Sequence, residues 1–196
     1  MSKIRPLPFF QRPLILASKS PRRRQLLTEA GFQFTVQTKD VNEDFPASMD
    51  AEAVPTFLAE QKAQACREFL FDEAILLSAD TVVAKGNRIY NKPTDRADAV
   101  RMITELMDGW HRVITGVCLM DHQEKIAFSS VSEVKLERLS DEELAYYVDH
   151  FQPYDKAGSY GIQEWIGWCK ISEIRGSYAN IVGLPIHRVY EALRTF

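Results

Sequence analysis

A short apolar run opens residues 14–31, LILASKSPRRRQLLTEAG, and a polar turn and a helix-forming pattern follow it. Residues 14–17 (LILA) are typical of a buried strand. Ser20 is a good N-cap, Pro21 suits the first helical position, and Gly31 is a C-terminal stop signal. This part of the chain therefore predicts a strand, a tight turn and a helix in succession.

Helix and strand patterns alternate along the rest of the chain. Further helices are predicted after Pro55, at residues 99–106, after a capping box at 140–143, and after Pro185. Strands are predicted at residues 75–79 continuing into 82–83, at 113–120, 126–136, 168–174 and 180–182. Two of these strands meet at residues 121–124, DHQE, which predicts a hairpin connection. The mixture favours an α/β fold with a mixed sheet.

Composition and charge set the class of protein. The 196 residues are 45% hydrophobic and 26% charged, as in folded soluble proteins, and the formal net charge of −3 gives no general reason to bind nucleic acid polymers. No apolar run approaches the ~18 residues that span a bilayer. We expect a cytoplasmic protein with no membrane segment, a leader at residues 1–13 and a single domain at 14–196.

Cys66, Cys118 and Cys169 lack any CxxC spacing and are expected to be reduced core thiols.

Three arginines, Arg22 to Arg24, fall in the first turn of the first predicted helix. The helix dipole there favours negative side chains by ~0.3–1 kcal/mol each. An anion at this helix N-terminus would explain them, held by backbone N–H groups, the hydroxyls of Ser18 and Ser20, and one or two guanidinium groups. The sequence contains neither GxxxxGK[ST] nor GxGxxG. The pattern therefore indicates either an anion site of another kind or a solvated basic face.

Asp80 interrupts the apolar pattern of a predicted strand, together with Ser78 and Thr81. A buried carboxylate costs several kcal/mol unless it is paired, hydrogen-bonded or bound to a metal. Asp80 is therefore a candidate ligand for a divalent cation or a general base acting on water. The alternative is a structural aspartate that caps a turn. Residues 90–94 and 154–163 form two further polar clusters, which are either loops that close on a ligand or surface turns.

Eight short motifs in one order resemble the Maf family of nucleoside triphosphate pyrophosphatases, from about residue 14 to the C-terminus. They are LASKSPRR at 16–23, NE at 42–43, KA at 62–63, ADTVV at 79–83, NKP at 91–93, HRVITGV at 111–117, DKAGSYGIQ at 155–163 and NIVGLP at 180–185. Within the family, Thr81 after Asp80 and the sequence YGIQ at 160–163 resemble the branch that acts on dTTP and UTP.

The resemblance implies a fold and a reaction. The implied fold is an elongated mixed β-sheet flanked by helices, with two lobes around a nucleotide cleft, similar to the inosine triphosphate pyrophosphatases. The implied reaction is hydrolysis of a nucleoside triphosphate to the monophosphate and pyrophosphate with a divalent cation, Mg²⁺ or Mn²⁺. The implied partner is the nucleotide, with no nucleic acid polymer and no membrane, and a homodimer is possible.

The resemblance also implies roles for individual residues. Asp80 matches the proton acceptor of the family. Positions linked to substrate selection are matched by Arg22, Thr81 and Gln163, and other polar positions of the cleft by Ser18, Arg23, Glu43, Lys62 and Lys92. A triphosphate carries about four negative charges, which the arginine-bearing turn and Lys62, Lys92 and Lys156 are suited to neutralise. Glu43 is the candidate for a second carboxylate beside the metal at Asp80. The amide of Gln163 can hydrogen-bond a pyrimidine edge, and Thr81 can limit the size of the base.

One of the departures from the pattern of the family concerns the loop that ends at Gln163. Glu164 and Trp165 follow Gln163 where many members have glycine, which puts the shape of this loop in doubt. The leading hypothesis is a pyrophosphatase for dTTP, UTP or modified pyrimidine triphosphates, linked to arrest of cell division. The alternative is a nucleotide-binding regulator of septum formation whose hydrolysis is incidental.

Overall fold

The computed structural model describes residue 7 and residues 10–196. Its strands are β1 (Leu14–Leu16), β2 (Thr35–Val36), β3 (Ile75–Lys85), β4 (Arg88–Tyr90), β5 (Gly109–Met120), β6 (Lys125–Leu136) and β7 (Ile171–Arg175). Its α-helices are α1 (Pro21–Glu29), α2 (Val54–Ala65), α3 (Arg96–Leu106), α4 (Asp141–Phe151), α5 (Trp165–Cys169), α6 (Tyr178–Val182) and α7 (Ile186–Thr195).

The seven strands form one mixed sheet in the order β2-β1-β3-β5-β6-β7, and β4 pairs with β3. β1 runs parallel to β2 and β3, whereas β4 is antiparallel to β3 and β7 is antiparallel to β6. The prediction of an α/β fold with a mixed, helix-flanked sheet is confirmed. The hairpin at residues 121–124 is also confirmed, because Asp121 accepts hydrogen bonds from the backbone N–H groups of Gln123 and Glu124.

The strand, turn and helix predicted at residues 14–31 are present. β1 lies between two parallel neighbours and is buried on both faces, which is why its apolar run does not alternate. The Oγ of Ser20 accepts a hydrogen bond from Arg23 N at 3.4 Å, and Pro21 is the first helical residue. Gly31 ends this segment with a φ of +83°, a conformation that glycine adopts without strain.

The chain divides into two compact units. The first unit comprises the described residues up to Asp80, Thr115–Ser130 and Gly183–Phe196, and the second comprises Thr81–Ile114 and Val131–Val182. In the first unit, alternate residues of β1 enter two apolar clusters, Leu14 and Leu16 in one and Ile15 in the other. Met102, Ile103, Leu106, Leu144, Tyr147 and Val148, all from α3 and α4, are part of the core of the second unit.

The described part of the predicted leader packs on the first unit. Leu7 N donates to Gly31 O at 3.1 Å, and the Phe10 ring meets the edge of Phe32 at a centroid distance of 5.5 Å. Arg12 forms an ion pair with Asp121 at 2.8 Å. Residues 1–6, 8 and 9 of the leader lie outside the described residues. The leader and single domain at 14–196 stay a prediction.

Near the C-terminus one strand prediction is wrong, and another begins three residues before the strand does. Trp168 and Cys169 end α5, because Glu164 O accepts hydrogen bonds from the N–H groups of Gly167 and Trp168 and closes a helical turn. β7 begins at Ile171 and contains the rest of the predicted strand. Residues 180–182 belong to α6, because Ser177 Oγ accepts a hydrogen bond from Asn180 N and its carbonyl accepts one from Ile181 N. The cap at Ser177 outweighs the apolar pattern of residues 180–182, whereas backbone hydrogen bonds of α5 do so at Trp168.

The cysteine prediction is partly wrong. Cys66 and Cys118 are free and buried, whereas Cys169 is free but exposed at the end of α5. Among residue 7 and residues 10–196, no helix is long and apolar enough to cross a membrane.

Candidate active site

A lysine bridges two carboxylates in the first unit. Lys62 Nζ lies 2.5 Å from Asp80 Oδ1 and 2.7 Å from Glu43 Oε1. The Lys62 and Asp80 side chains are 18% and 13% exposed, whereas Glu43 is half exposed at 49%. The buried carboxylate that the sequence pattern requires to have a partner therefore finds one in Lys62.

Helix α2 and strand β3 bring Lys62 and Asp80 together. Ser78 Oγ donates to Ala59 O at 2.6 Å and so links β3 to α2. Lys62 follows Ala59 by three residues on the same helix face, and Asp80 follows Ser78 by two residues on the same strand face. One buried hydroxyl contact thereby sets the two charged side chains next to each other.

Arg23 is the member of the arginine run that the fold buries. Its Nε donates to Gly183 O at 2.8 Å and its Nη1 donates to Ser18 Oγ at 3.2 Å. Burial lowers the pKa of the Arg23 guanidinium, while the nearby Asp80 and Glu43 carboxylates act in the opposite direction and the charge of Arg22 adds to the lowering. A buried cation is therefore held in the same region as the two carboxylates.

The other arginines of the run have different environments. Arg22 is half-buried, and Arg24 is exposed and donates to Lys19 O at 3.0 Å. Arg24 therefore lies on a solvated basic face, whereas Arg23 does not. Ser18 Oγ also accepts a hydrogen bond from Ser20 N at 3.2 Å, so the serine turn is ordered around the buried guanidinium.

The carboxylates at Lys62 are compatible with a magnesium-type cation that a substrate also binds. Mg²⁺ is commonly held by one or two carboxylates together with substrate phosphates. Asp80 and Glu43 each place an oxygen within hydrogen-bond distance of one ammonium group. No group of three or more His, Cys, Asp or Glu side chains suited to a metal occurs in the part of the chain that the structure describes. The donor set therefore fits a shared cation and does not fit an all-protein metal cage.

The remaining candidate residues belong to the second unit. Thr81 follows Asp80 on β3 and is half-buried, and Lys92 is exposed after β4. Lys156 Nζ pairs with Asp155 at 2.7 Å and with Glu164 at 3.0 Å.

Gln163 is half-buried, and its backbone carbonyl accepts a hydrogen bond from the indole N–H of Trp168 at 3.1 Å. The first unit thus holds Ser18, Arg22, Arg23, Glu43, Lys62 and Asp80, and the second holds Thr81, Lys92, Lys156 and Gln163.

The loop that precedes Gln163 is anchored rather than a simple surface turn. Gly158 has a φ of +70° and packs against Val83, where an added Cβ would lie 3.0 Å from a methyl group. The buried Tyr160 hydroxyl lies 2.6 Å from His111 Nε2. Burial, with a smaller effect of the Lys85 charge, lowers the pKa of His111 to about 3, so this histidine is neutral.

Glu164 at the end of this loop and Tyr147 of α4 contact each other there, and neither is among the site residues proposed from sequence. The Tyr147 hydroxyl donates to Glu164 Oε2 and accepts a hydrogen bond from Gly161 N at 2.9 Å. The sequence signal for Glu164 is its departure from the family pattern. Its partner Tyr147 comes from α4 and carries no sequence signal.

The chain is similar to known proteins over nearly its whole length. The family model described as Maf-like protein matches residues 13–196. A protein of Bacteroides fragilis named dTTP/UTP pyrophosphatase is 44% identical over 182 residues, which cover 92% of this chain and 94% of that protein. One of Porphyromonas gingivalis with the same name is 46% identical over 186 residues, covering 93% and 94%.

A more distant similarity links the chain to the solved structure of the Staphylococcus aureus Ham1 protein. The identity is 14%, the TM-score is 0.41, and 64% of this chain and 72% of that chain are covered. A TM-score this low supports no conclusion about fold or function. Because the family model spans nearly the whole chain and close relatives match over more than nine-tenths of it, the chain belongs to the family of Maf-like proteins.

Proposed function

We propose that this protein hydrolyses dTTP and UTP to the monophosphate and pyrophosphate in the cytoplasm. Relatives more than 40% identical over nine-tenths of the chain are named dTTP/UTP pyrophosphatases. The single observation that carries the proposal is the buried Asp80 carboxylate, held against Lys62 in the region of the buried Arg23. A carboxylate among cations is suited to accept a proton while a polyanion is bound beside it.

The proposed reaction is attack of water on the α-phosphate. The oxygen of the water forms a bond to phosphorus, the bond from the α-phosphorus to its bridging oxygen breaks, and pyrophosphate leaves with both electrons of that bond. Asp80 accepts the proton of the water. Arg23 and Lys62 supply positive charge where negative charge develops, a contribution that positioned cations make in phosphoryl transfer.

A divalent cation completes this proposal. Asp80 and Glu43 would hold Mg²⁺ or Mn²⁺, which would neutralise phosphate charge when bound. Arg22, Lys92 and Lys156 are proposed to bind further phosphate oxygens, and Ser18 holds Arg23 in place.

The base is proposed to be read in the second unit. The amide of Gln163 both donates and accepts hydrogen bonds, as the edge of uracil or thymine requires, and the short Thr81 side chain limits base size. The Trp168 indole donates to the backbone carbonyl of Gln163 and so holds this part of the loop.

Asp80→Asn tests the reaction and the residue together. Pyrophosphate and orthophosphate release are measured on canonical, methylated and inosine triphosphates with Mg²⁺ or Mn²⁺. We expect pyrophosphate from dTTP and UTP, and a loss of roughly 10²–10⁴-fold in the variant, the usual contribution of a general base. Asp40→Asn is the matched control, because Asp40 also pairs with a lysine at 2.5 Å but is 93% exposed.

Three outcomes would contradict the proposal. Activity on 7-methyl-GTP alone would overturn the roles of Thr81 and Gln163. Full activity of Asp80→Asn would overturn the role of the carboxylate. Tight nucleotide binding without pyrophosphate release in the wild type would favour the nucleotide-binding regulator of septum formation.

A further inference from the structure

We propose that Trp168 binds the nucleotide by stacking its indole ring on the pyrimidine base, and that this contact adds affinity without distinguishing one base from another. The inference rests on the proposed function, because it adds a second contact to the base that the second unit is proposed to read. Trp168 takes the flat face of the base, whereas Gln163 is proposed to take its edge.

Trp168 is the most exposed large apolar side chain in the described part of the chain. It is 76% exposed, whereas Phe71, the next, is 49% exposed. Apolar surface in contact with water is unfavourable, and an aromatic ring is stabilised when another flat ring covers it. The indole of Trp168 therefore offers a large face that a ligand can cover.

The ring is held in one place although it is exposed. Its indole N–H donates to Gln163 O at 3.1 Å, which restrains the two side-chain torsions of the tryptophan. Its main chain is also fixed, because Trp168 N donates to Glu164 O at 3.2 Å. Gly167 lets α5 lie directly on Ile162, since an added Cβ would lie 1.9 Å from Ile162 O. A ring that is already ordered loses little conformational entropy when a ligand binds to it.

The other two tryptophans of the chain have protein partners for their rings. Trp165 meets the Tyr146 ring edge-on at a centroid distance of 5.5 Å. The guanidinium of Arg175 lies 4.1 Å from the centroid of the Trp110 ring. In the part of the chain that the structure describes, no ring and no guanidinium packs on Trp168. Its faces are therefore open to a ligand, whereas those contacts already engage the other two indoles.

The hydrogen bond to Gln163 O ties the exposed ring to the segment that carries the proposed base contact. Nucleotide bases stack on aromatic side chains, and every base has a flat face that can do so. Stacking therefore strengthens binding for uracil, thymine and cytosine alike, while hydrogen bonds to the edge of the base provide the selectivity. The occupant of the Trp168 face is the base of the nucleotide, and the phosphates take no part in this contact.

The test compares UTP, CTP and inorganic triphosphate, which has no base. Their dissociation constants are measured by calorimetry with Mg²⁺ in the Asp80→Asn background, where turnover is expected to be slow. We expect Trp168→Ala to weaken UTP and CTP by about tenfold each and inorganic triphosphate by less than twofold. Phe71→Ala is the matched control, because it also removes an exposed aromatic ring but lies in the first unit. It is expected to leave all three constants unchanged.

Two further comparisons separate the ring from its hydrogen bond. Trp168→Phe keeps a flat ring and removes the indole N–H, so we expect it to retain most of the affinity for UTP. Dihydrouridine triphosphate keeps the hydrogen-bonding edge of uracil, but its base is neither flat nor aromatic. The protein with Trp168 is expected to prefer UTP to this analogue, and Trp168→Ala is expected to lose that preference.

Fluorescence separates this inference from the proposed function. Stacking of a base quenches the emission of an indole, so UTP is expected to quench the emission of the protein with Trp168. The quenching is expected to be lost in Trp168→Phe, which retains Trp110 and Trp165. Such a result supports the stacking contact even if the wild type releases no pyrophosphate.

Three results would overturn the inference. One is a UTP affinity that Trp168→Ala does not weaken in a folded protein, as judged by thermal melting. Another is an equal loss of affinity in Trp168→Phe and Trp168→Ala, which would assign the effect to the hydrogen bond. The third is equal affinity of the protein with Trp168 for UTP and dihydrouridine triphosphate. Pyrophosphate release by the wild type together with any of these results would leave the proposed function standing.

Discussion

Removing the Lys62 ammonium is expected to tighten the binding of a divalent cation while it slows turnover. Lys62 donates to Asp80 and Glu43 at 2.5 and 2.7 Å, so a cation that takes these oxygens must displace it. Lys62→Met keeps a side chain of similar length without the charge.

The two ion-pair contacts set the size of this effect. A hydrogen bond to a charged group contributes about 1.5–3 kcal/mol, so two contacts at the lower value give ~3 kcal/mol. Solvent reduces the share of the half-exposed Glu43. Since 1.4 kcal/mol corresponds to a factor of ten, the dissociation constant of Mn²⁺ is expected to fall by roughly 10- to 100-fold. Pyrophosphate release is expected to fall by about 10²–10³-fold, because a positioned cation is lost from the triphosphate.

Mn²⁺ binding is measured by paramagnetic resonance or calorimetry on the protein without nucleotide. Lys19→Met is the matched control, because Lys19 also lies 2.5 Å from an aspartate but is 65% exposed. It removes the same charge from the chain and is expected to change Mn²⁺ affinity by less than twofold. Equal or weaker Mn²⁺ binding by Lys62→Met than by Lys19→Met would refute the proposal that the cation shares the oxygens of Asp80 and Glu43.

Two further predictions concern stability. The pKa of buried His111 is lowered to about 3 from 6.5, so between these values the unfolded state binds a proton that the folded state does not. Stability is therefore lost as pH falls, by at most ~1.4 kcal/mol per pH unit from this group; urea unfolding at pH 7 and pH 5 should show a smaller loss in His111→Gln. Gly116→Ala is expected to destabilise the protein by about 1–3 kcal/mol, because the new Cβ would lie 2.2 Å from the backbone of Pro55. Thermal unfolding checks this, and an unchanged midpoint would show that α2 moves away from β5 without cost.

The sequence predicted those elements whose signals are local and long. The capping box at Ser140 and Glu143 opens α4, and both of its reciprocal hydrogen bonds are present. β2 and β4 contain two and three residues and lack the continuous apolar run of β1, and the sequence did not predict them. Ile181 and Val182 favour a strand by their β-branched side chains, but the cap at Ser177 makes this segment the helix α6.

Most of the contacts within the site depend on elements distant in the sequence. The apolar pattern around Asp80 predicts that its carboxylate has a partner. Lys62 lies 18 residues away and becomes that partner in the fold, where Ser78 links β3 to α2. The residues of the ion-pair network were named as candidates from sequence, whereas their mutual distances required the fold.

Three arginines in the first turn of α1 oppose the helix dipole, and the fold accommodates Arg23 and Arg24 in two different ways. The helix dipole disfavours all three arginines of the first turn, yet the fold treats neighbouring members differently. Arg24 remains in solvent, where screening makes the unfavourable position tolerable. Arg23 is buried, which is tolerated because Gly183 O and Ser18 Oγ accept its hydrogen bonds and two carboxylates oppose the effect of burial. A positive charge buried beside the carboxylates of Asp80 and Glu43 is suited to a binding site for a polyanion, so Arg23 is the buried residue of the run on which the proposed function depends.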